Sequence, residues 1–368
     1  MKTGRQHPGR HRAFTLIEML VSMVIMSFIM IALVTALGQT QSLWNQTQDR
    51  AEKFREARIG FETVSRRLSN ATLNPYWGYD DAENPTEYAR QSGLHFVVGP
   101  SDVILEASRE NCGSAVFFQA PFGYGGEEAG ARGGGKDYEK LDDALNCWGY
   151  YVEYNSDTEI GRPLRPDFLE SSPVTSGERM RFRLMEYRQP TERLALFNDD
   201  FAAGAPLSES LSSADINHWF SDSITRVENS SPVAENILTM ILTPRAPGKV
   251  ASQSIEETDI APDYHFDSRR YQWDDGNSLS EITRHQIPPV IDMTLIALTE
   301  ASWNRFDENG GDALGLLEFV NSLFTESKRF DEDLKILEEK LASLKLDHRI
   351  FSTTIALRSG KWITSPQK

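Results

Sequence analysis

"RAFTLIEMLV", residues 12–21, decides how the rest of the chain is read. A glutamate, Glu18, stands inside the longest apolar run. From Phe14 to Gly38 every other residue is apolar, small or hydroxyl-bearing. A carboxylate at the centre of a bilayer costs about 2.5–3.5 kcal/mol on insertion scales, so one placed there has a partner or a function. As a helix the run spans roughly 37 Å, enough to cross a bilayer once. Lys2, Arg5, Arg10 and Arg12 precede it without an acidic neighbour. Such a basic flank stays in the cytoplasm and sends the remainder across.

Composition narrows the classes. The chain has 368 residues and a net charge of −16, with acid spread throughout rather than gathered in a tail. That balance argues against a nucleic-acid partner for the bulk of it. A secretory signal with a cut near Val34-Thr35-Ala36 competes for the N-terminus, but the run is long for such a signal and Glu18 does not belong in one.

"RAFTLIEMLVSMVIM" resembles the class III signal of type IV pilins and pseudopilins. The resemblance implies a basic leader, residues 1–13, cut between Ala13 and Phe14 by a prepilin peptidase that then N-methylates Phe14. The family usually has Gly where this chain has Ala13. Glu18 matches the family's acid. Its carboxylate would pair with the Phe14 amine of a neighbouring subunit, since two charges in a low-dielectric core are tolerated only when paired. Glu18 also lies close enough to the cytoplasmic end to snorkel.

Beyond Gly38 the spacing of Leu43, Thr47, Ala51, Phe54, Arg58, Phe61, Val64 or Ser65, and Leu68 predicts an amphipathic helix with Phe54, Phe61 and Leu68 buried. Asn74-Pro75 stops it. The expected organisation is a transmembrane helix over 14–38, its amphipathic continuation over 39–74, and a β-rich periplasmic domain over 75–368. The fold class is α+β: a long N-terminal helix packed on an antiparallel sheet. Strands are expected at 94–98, 102–107, 114–120, 148–154, 179–187, 236–245, 289–300 and 349–358. Two insertions interrupt the domain: a Gly-rich loop within 120–146, and one over 301–348 whose residues 311–346 read as a helical hairpin.

"YYVEY" ending at Tyr154, the stretch Arg183–Leu194, "YQWDD" at 271–275 and Pro288-Pro289-Val290 resemble the J-type pseudopilins of type II secretion. "LNCWGYYVEY", "RFRLMEYRQPTE" and "RIFSTTIALRSGKW" resemble the group called Verru_Chthon cassette protein C. These resemblances imply a structural subunit anchored in the inner membrane, with other pilin-like subunits as partners and no cofactor.

Catalytic patterns are scarce. "GARGGGKD" (130–137) follows the P-loop spacing but ends in Asp137 where Ser or Thr would hold magnesium. There is no HExxH, and no GxSxG elbow. His95, His218, His265, His285 and His348 read as surface or half-buried structural residues. "DENGGD" (307–312) offers Asp307, Asn309 and Asp312 as candidate calcium ligands, although Asp312 also suits a helix N-cap. Cys112 and Cys147 are candidates for a disulfide after export. If they flank hairpin strands, they start at opposite ends of it. Without a catalytic cluster the open alternatives to a filament subunit are a tethered periplasmic enzyme and an adhesin-like binding module.

Overall fold

The computed structural model describes residues 17, 19–35, 54–79, 84–85, 88–105, 110–123, 144–156, 179–197, 213–224, 229–246, 249–250, 253–254, 256, 260–270 and 283–362. The chain forms two units, Met1–Lys53 and Phe54–Lys368. In the first, residues 19–35 are helical. The expected continuity of one helix from 14 to 71 runs through 36–53, which lie outside the described residues.

The second unit opens with helix α1, Arg55–Leu68, with Glu56 in its first turn and Arg66 and Arg67 in its last. The last-turn arginines complement the helix dipole, whereas Arg55 offsets Glu56 at its start. Its buried stripe is Ala57, Gly60, Val64 and Leu68. The expected stripe is corrected by about one position: Leu68 is buried, while Phe54 and Phe61 lie half-buried at its flank. There they meet Phe351, at ring-centroid distances of 6.5 and 5.7 Å. Small residues face the sheet because the helix lies close to it. A Cβ built on Gly60 would stand 3.2 Å from both Ala234 Cβ and Leu184 Cδ2.

The strands follow in the order β1 (Tyr76–Tyr79), β2 (Tyr88–Gln91), β3 (Val97–Pro100), β4 (Asn111–Pro121), β5 (Leu145–Ser156), β6 (Met180–Gln189), β7 (Ser230–Glu235), β8 (Ile237–Arg245), β9 (Lys249–Val250), β10 (Gln253–Ser254), β11 (Phe266–Asp267), β12 (Val290–Leu298) and β13 (His348–Ala356). Helix α2 is Ser101–Ile104 and helix α3 is Ser213–Ile224. Between β12 and β13 stand α4 (Glu300–Glu308), α5 (Ala313–Leu323) and α6 (Phe330–Ser343).

Nine strands make one curled sheet. Its main path is β13-β12-β8-β4-β5-β6-β7, with β3 pairing β4 and β11 pairing β3. The pairings are antiparallel except at Gly113↔Met240, where β4 meets β8 in parallel. Gly113 has φ +75°, and an added Cβ would collide with Thr239 Oγ1, so the close approach of the two halves of the sheet requires glycine. Curling has a second cause. β7 and β8 are separated only by Asn236, at φ 57°. This left-handed residue, a type in which Asn is enriched, sends β7 to the far edge of β6 and β8 back beside β12. The β4–β5–β6 ladder is therefore flanked on both sides by one continuous stretch of chain.

One expectation changes and one is extended. The described part of the strand expected at 102–107 is not a strand: Ser101–Ile104 form the short helix α2 after Pro100, and 106–107 lie outside the described residues. The hairpin expected at 311–346 forms as α5 and α6, and one further helix, α4, precedes it, ending at Asn309-Gly310, where Gly310 has φ +73°. Phe117 stacks on Phe220 of α3 at 3.9 Å, with Trp219 edge-on at 6.3 Å, so α3 closes one face of β4.

Candidate functional site

Residues 17 and 19–34 display fourteen large apolar side chains, each more than half exposed; Ile17 is 72 % and Phe28 76 % exposed. They point to every side of the helix. A helix apolar all round is one whose surroundings are apolar. Its polar residues fit that demand. Ser22, Ser27 and Thr35 each donate their hydroxyl to a backbone carbonyl three or four residues earlier, at 2.8–2.9 Å, so they leave no donor unmet. Among the described residues, no helix is long and apolar enough to cross a membrane. The helical stretch is bounded on both sides by residues outside the description. Ala13, Phe14 and Glu18 are among those.

Among the described residues of the second unit, one ionisable cluster is fully buried. His95 Nε2 lies 2.8 Å from Asp267 Oδ1, and both side chains are essentially inaccessible. Trp219 Nε1–H donates to His95 Nδ1 at 3.0 Å. An indole N–H only donates, so Nδ1 accepts and the proton sits on Nε2, which donates to Asp267. Burial pushes the His95 pKa down, and Asp267 opposes it without prevailing. Burial pushes Asp267 up, but His95 and the backbone N–H of Arg269 bring it below the usual range. This resembles the orienting half of a catalytic dyad, yet Trp219 occupies the nitrogen that would serve a nucleophile. The cluster ties β3, β11 and α3 together. His95 and His285 are fully buried rather than surface or half-buried. His95 carries no signal in sequence, because its side-chain partners, Asp267 and Trp219, lie more than a hundred residues away.

A second polar link joins α1 to the sheet. Arg67 pairs with Glu186 and donates to Tyr150 Oη at 3.0 Å, and Tyr150 Oη donates to Glu186 at 2.9 Å. The Arg67 guanidinium also lies 4.3 Å from the centre of the Trp148 ring. Arg67 sits one position off the apolar stripe, so the spacing of hydrophobic residues could not reveal it.

Cys112 and Cys147 are buried free thiols. Cys112 pairs in register with Val152, five residues along β5 from Cys147. That places them roughly 17 Å apart, beyond the reach of a disulfide. Burial pushes both thiols up to about 12, so they stay protonated. Asp312 caps α5, accepting from Gly315 N at 2.8 Å. Asn309 is spent on α4, donating to Arg305 O at 2.6 Å. Among the described residues no group of three or more His, Cys, Asp or Glu gathers as for a metal. The Gly-rich stretch 130–137 lies outside the described residues.

Against family models, residues 9–34 match the prokaryotic N-terminal methylation motif. No curated protein and no solved structure matches the chain. The matched motif is a class III signal, typical of type IV pilins and pseudopilins. It implies processing by prepilin peptidase, anchoring in the membrane through the N-terminus, and a structural role for the domain carried behind it.

Proposed function

We propose that the chain is a processed and N-methylated pilin-like structural subunit, a minor pilin or pseudopilin, of a type IV pilus or a type II secretion-like filament. The observation that supports this reading is the coincidence of the methylation motif at 9–34 with a helix whose apolar side chains face outward on every side. The cut falls between Ala13 and Phe14. Residues 14–38 hold the chain in the inner membrane until assembly, and 75–368 lie in the periplasm. The J-type pseudopilins and Verru_Chthon cassette protein C are the finer family readings, supported by the short matches around Tyr150–Tyr154 and Arg183–Leu194.

Glu18 carries the assembly chemistry. Cleavage creates an amine on Phe14, and the Glu18 carboxylate of one subunit neutralises the amine of the next. Breaking a buried pair from one side costs about 3–5 kcal/mol, or at least about two orders of magnitude in assembly. Membrane residence does not suffer, because removing a charge makes insertion easier. Glu18→Ala is therefore expected to keep normal membrane levels and to disappear from sheared filaments. Wild-type incorporation of Glu18→Ala would refute the pairing and favour a domain that uses its helix only as a tether.

A further inference from the structure

β13 ends the sheet path and pairs β12 along its whole length, without a bulge. The flanking bonds fix which of its backbone groups face outward. Thr299 N donates to Asp347 O and Leu357 N to Pro289 O. Both lie in the β12–β13 register, so the odd-numbered residues of β13 spend their N–H and C=O on β12. The even ones, Ile350, Ser352, Thr354 and Ala356, point theirs to the free edge. Among the described residues nothing bonds them; the next outward N–H, that of Arg358, is taken by Ser69 O at the end of α1.

Exposed edges are usually blunted by a central charge, a proline, a bulge or a covering element. "IFSTTIAL", 350–357, contains no charge, proline or glycine. Beside it runs an open groove, walled by Phe61, Glu62, Ser65, Arg66 and Ser69 of α1 and floored by 353–356 of β13. Arginines stand along this edge on a chain of net −16. Arg66, Arg349 and Arg358 are exposed and have no acidic partner among the described residues, whereas Arg58 is neutralised by Glu62.

We infer that the β13 edge accepts an added β-strand from a different pilin-like subunit, with an apolar and hydroxyl-bearing centre and carboxylates at its flanks. The partner's class rests on the proposed function; the edge and its charge do not. A second copy of this chain fits worse. Pairing β13 with itself sets arginines against arginines. The backbone ladder would give affinity, and the basic rim would select the partner.

The test uses the full-length chain in its own cells, with a photo-crosslinking residue in place of Ser352 and the products mapped by mass spectrometry. The expected product joins position 352 to an extended, acid-flanked segment of another methylation-motif protein. Thr354→Pro removes one outward N–H, together with the hydroxyl bond to Asp292 Oδ1, and leaves the backbone ladder to β12 intact, so it should lower the yield about tenfold or more. Arg66→Glu with Arg358→Glu should lower it as well, without touching the strand. In residue-resolved hydrogen exchange, amides 350, 352, 354 and 356 should be protected in filaments and open in detergent-extracted protein. Amides 351, 353 and 355 should be protected in both. Crosslinks to a second copy, to residues 36–53 or 363–368 of the same chain, or to nothing would each overturn the inference, as would an unchanged yield in both variants. A mature chain that retains its leader yet crosslinks as expected would refute the filament reading and leave the edge intact.

Discussion

Arg67→Met should loosen the joint between α1 and the sheet. In the wild type, Arg67 neutralises Glu186, whose side chain is 7 % exposed, and both bond Tyr150 Oη. Removing the guanidinium leaves a buried carboxylate with one hydroxyl donor. One-sided loss of a buried pair costs about 3–5 kcal/mol. Arg67 is itself 27 % exposed, so water offsets part of the loss and the lower end, about 3 kcal/mol, applies. For a domain of this size that corresponds to roughly 6 °C in Tm. The double variant Arg67→Met, Glu186→Leu should recover most of it, because a well-packed apolar replacement of a buried pair is often neutral. The assay is urea and thermal unfolding of the full-length protein in detergent. Tryptophan fluorescence is an apt signal, since Trp148 lies under the guanidinium. A loss under about 1 kcal/mol in Arg67→Met, or a double variant no more stable than the single, would refute the reasoning.

Acid should destabilise the globular unit. Burial lowers the pKa of His95 and His265, and lowers that of His285 well below an exposed histidine's. Below about pH 6.5 the unfolded chain therefore binds more protons than the folded one, and stability falls by up to about 1.4 kcal/mol per pH unit for each such histidine. His95→Gln should reduce the slope between pH 6.5 and 5 in urea titrations, and an unchanged slope would contradict the assignment. Gly60→Leu should cost about 1–3 kcal/mol by forcing α1 off Ala234 and Leu184, with Gly60→Ala milder; equal stability of all three would contradict the close packing.

How far the fold could be read from sequence depended on where each element gets its stability. β4, β5, β8, β12 and β13 carry long apolar or β-branched runs, and their own composition marks them. β7, "SSPVAE", contains Pro232 and little apolar surface; it exists because Asn236 delivers it to the edge of β6. α3, "SADINHWFSDSI", has too few apolar residues to show a helical stripe, and two of them, Trp219 and Phe220, supply its anchorage on Phe117. "DVILEA" carries the short apolar, β-branched run of a strand, yet its start folds into the helix Ser101–Ile104 that follows Pro100. The stripe on α1 misled by one position because the large aromatics Phe54 and Phe61 flank the contact that Gly60 makes. The N-terminal motif was legible because its chemistry is local: a basic leader, Ala13, Phe14 and Glu18 lie within eighteen residues. The Arg67–Glu186–Tyr150 and His95–Asp267–Trp219 networks were not, since each joins elements far apart in the chain.

Processing at the front of the apolar run is the claim on which the rest depends. Intact-mass and N-terminal peptide mass spectrometry of the protein extracted from its own membranes tests it directly. The account predicts a chain that starts at Phe14 with one methyl group on its amine, and an Ala13→Glu variant that keeps residues 1–13. A wild-type chain that retains its leader, or one cut near Ala36, would contradict it.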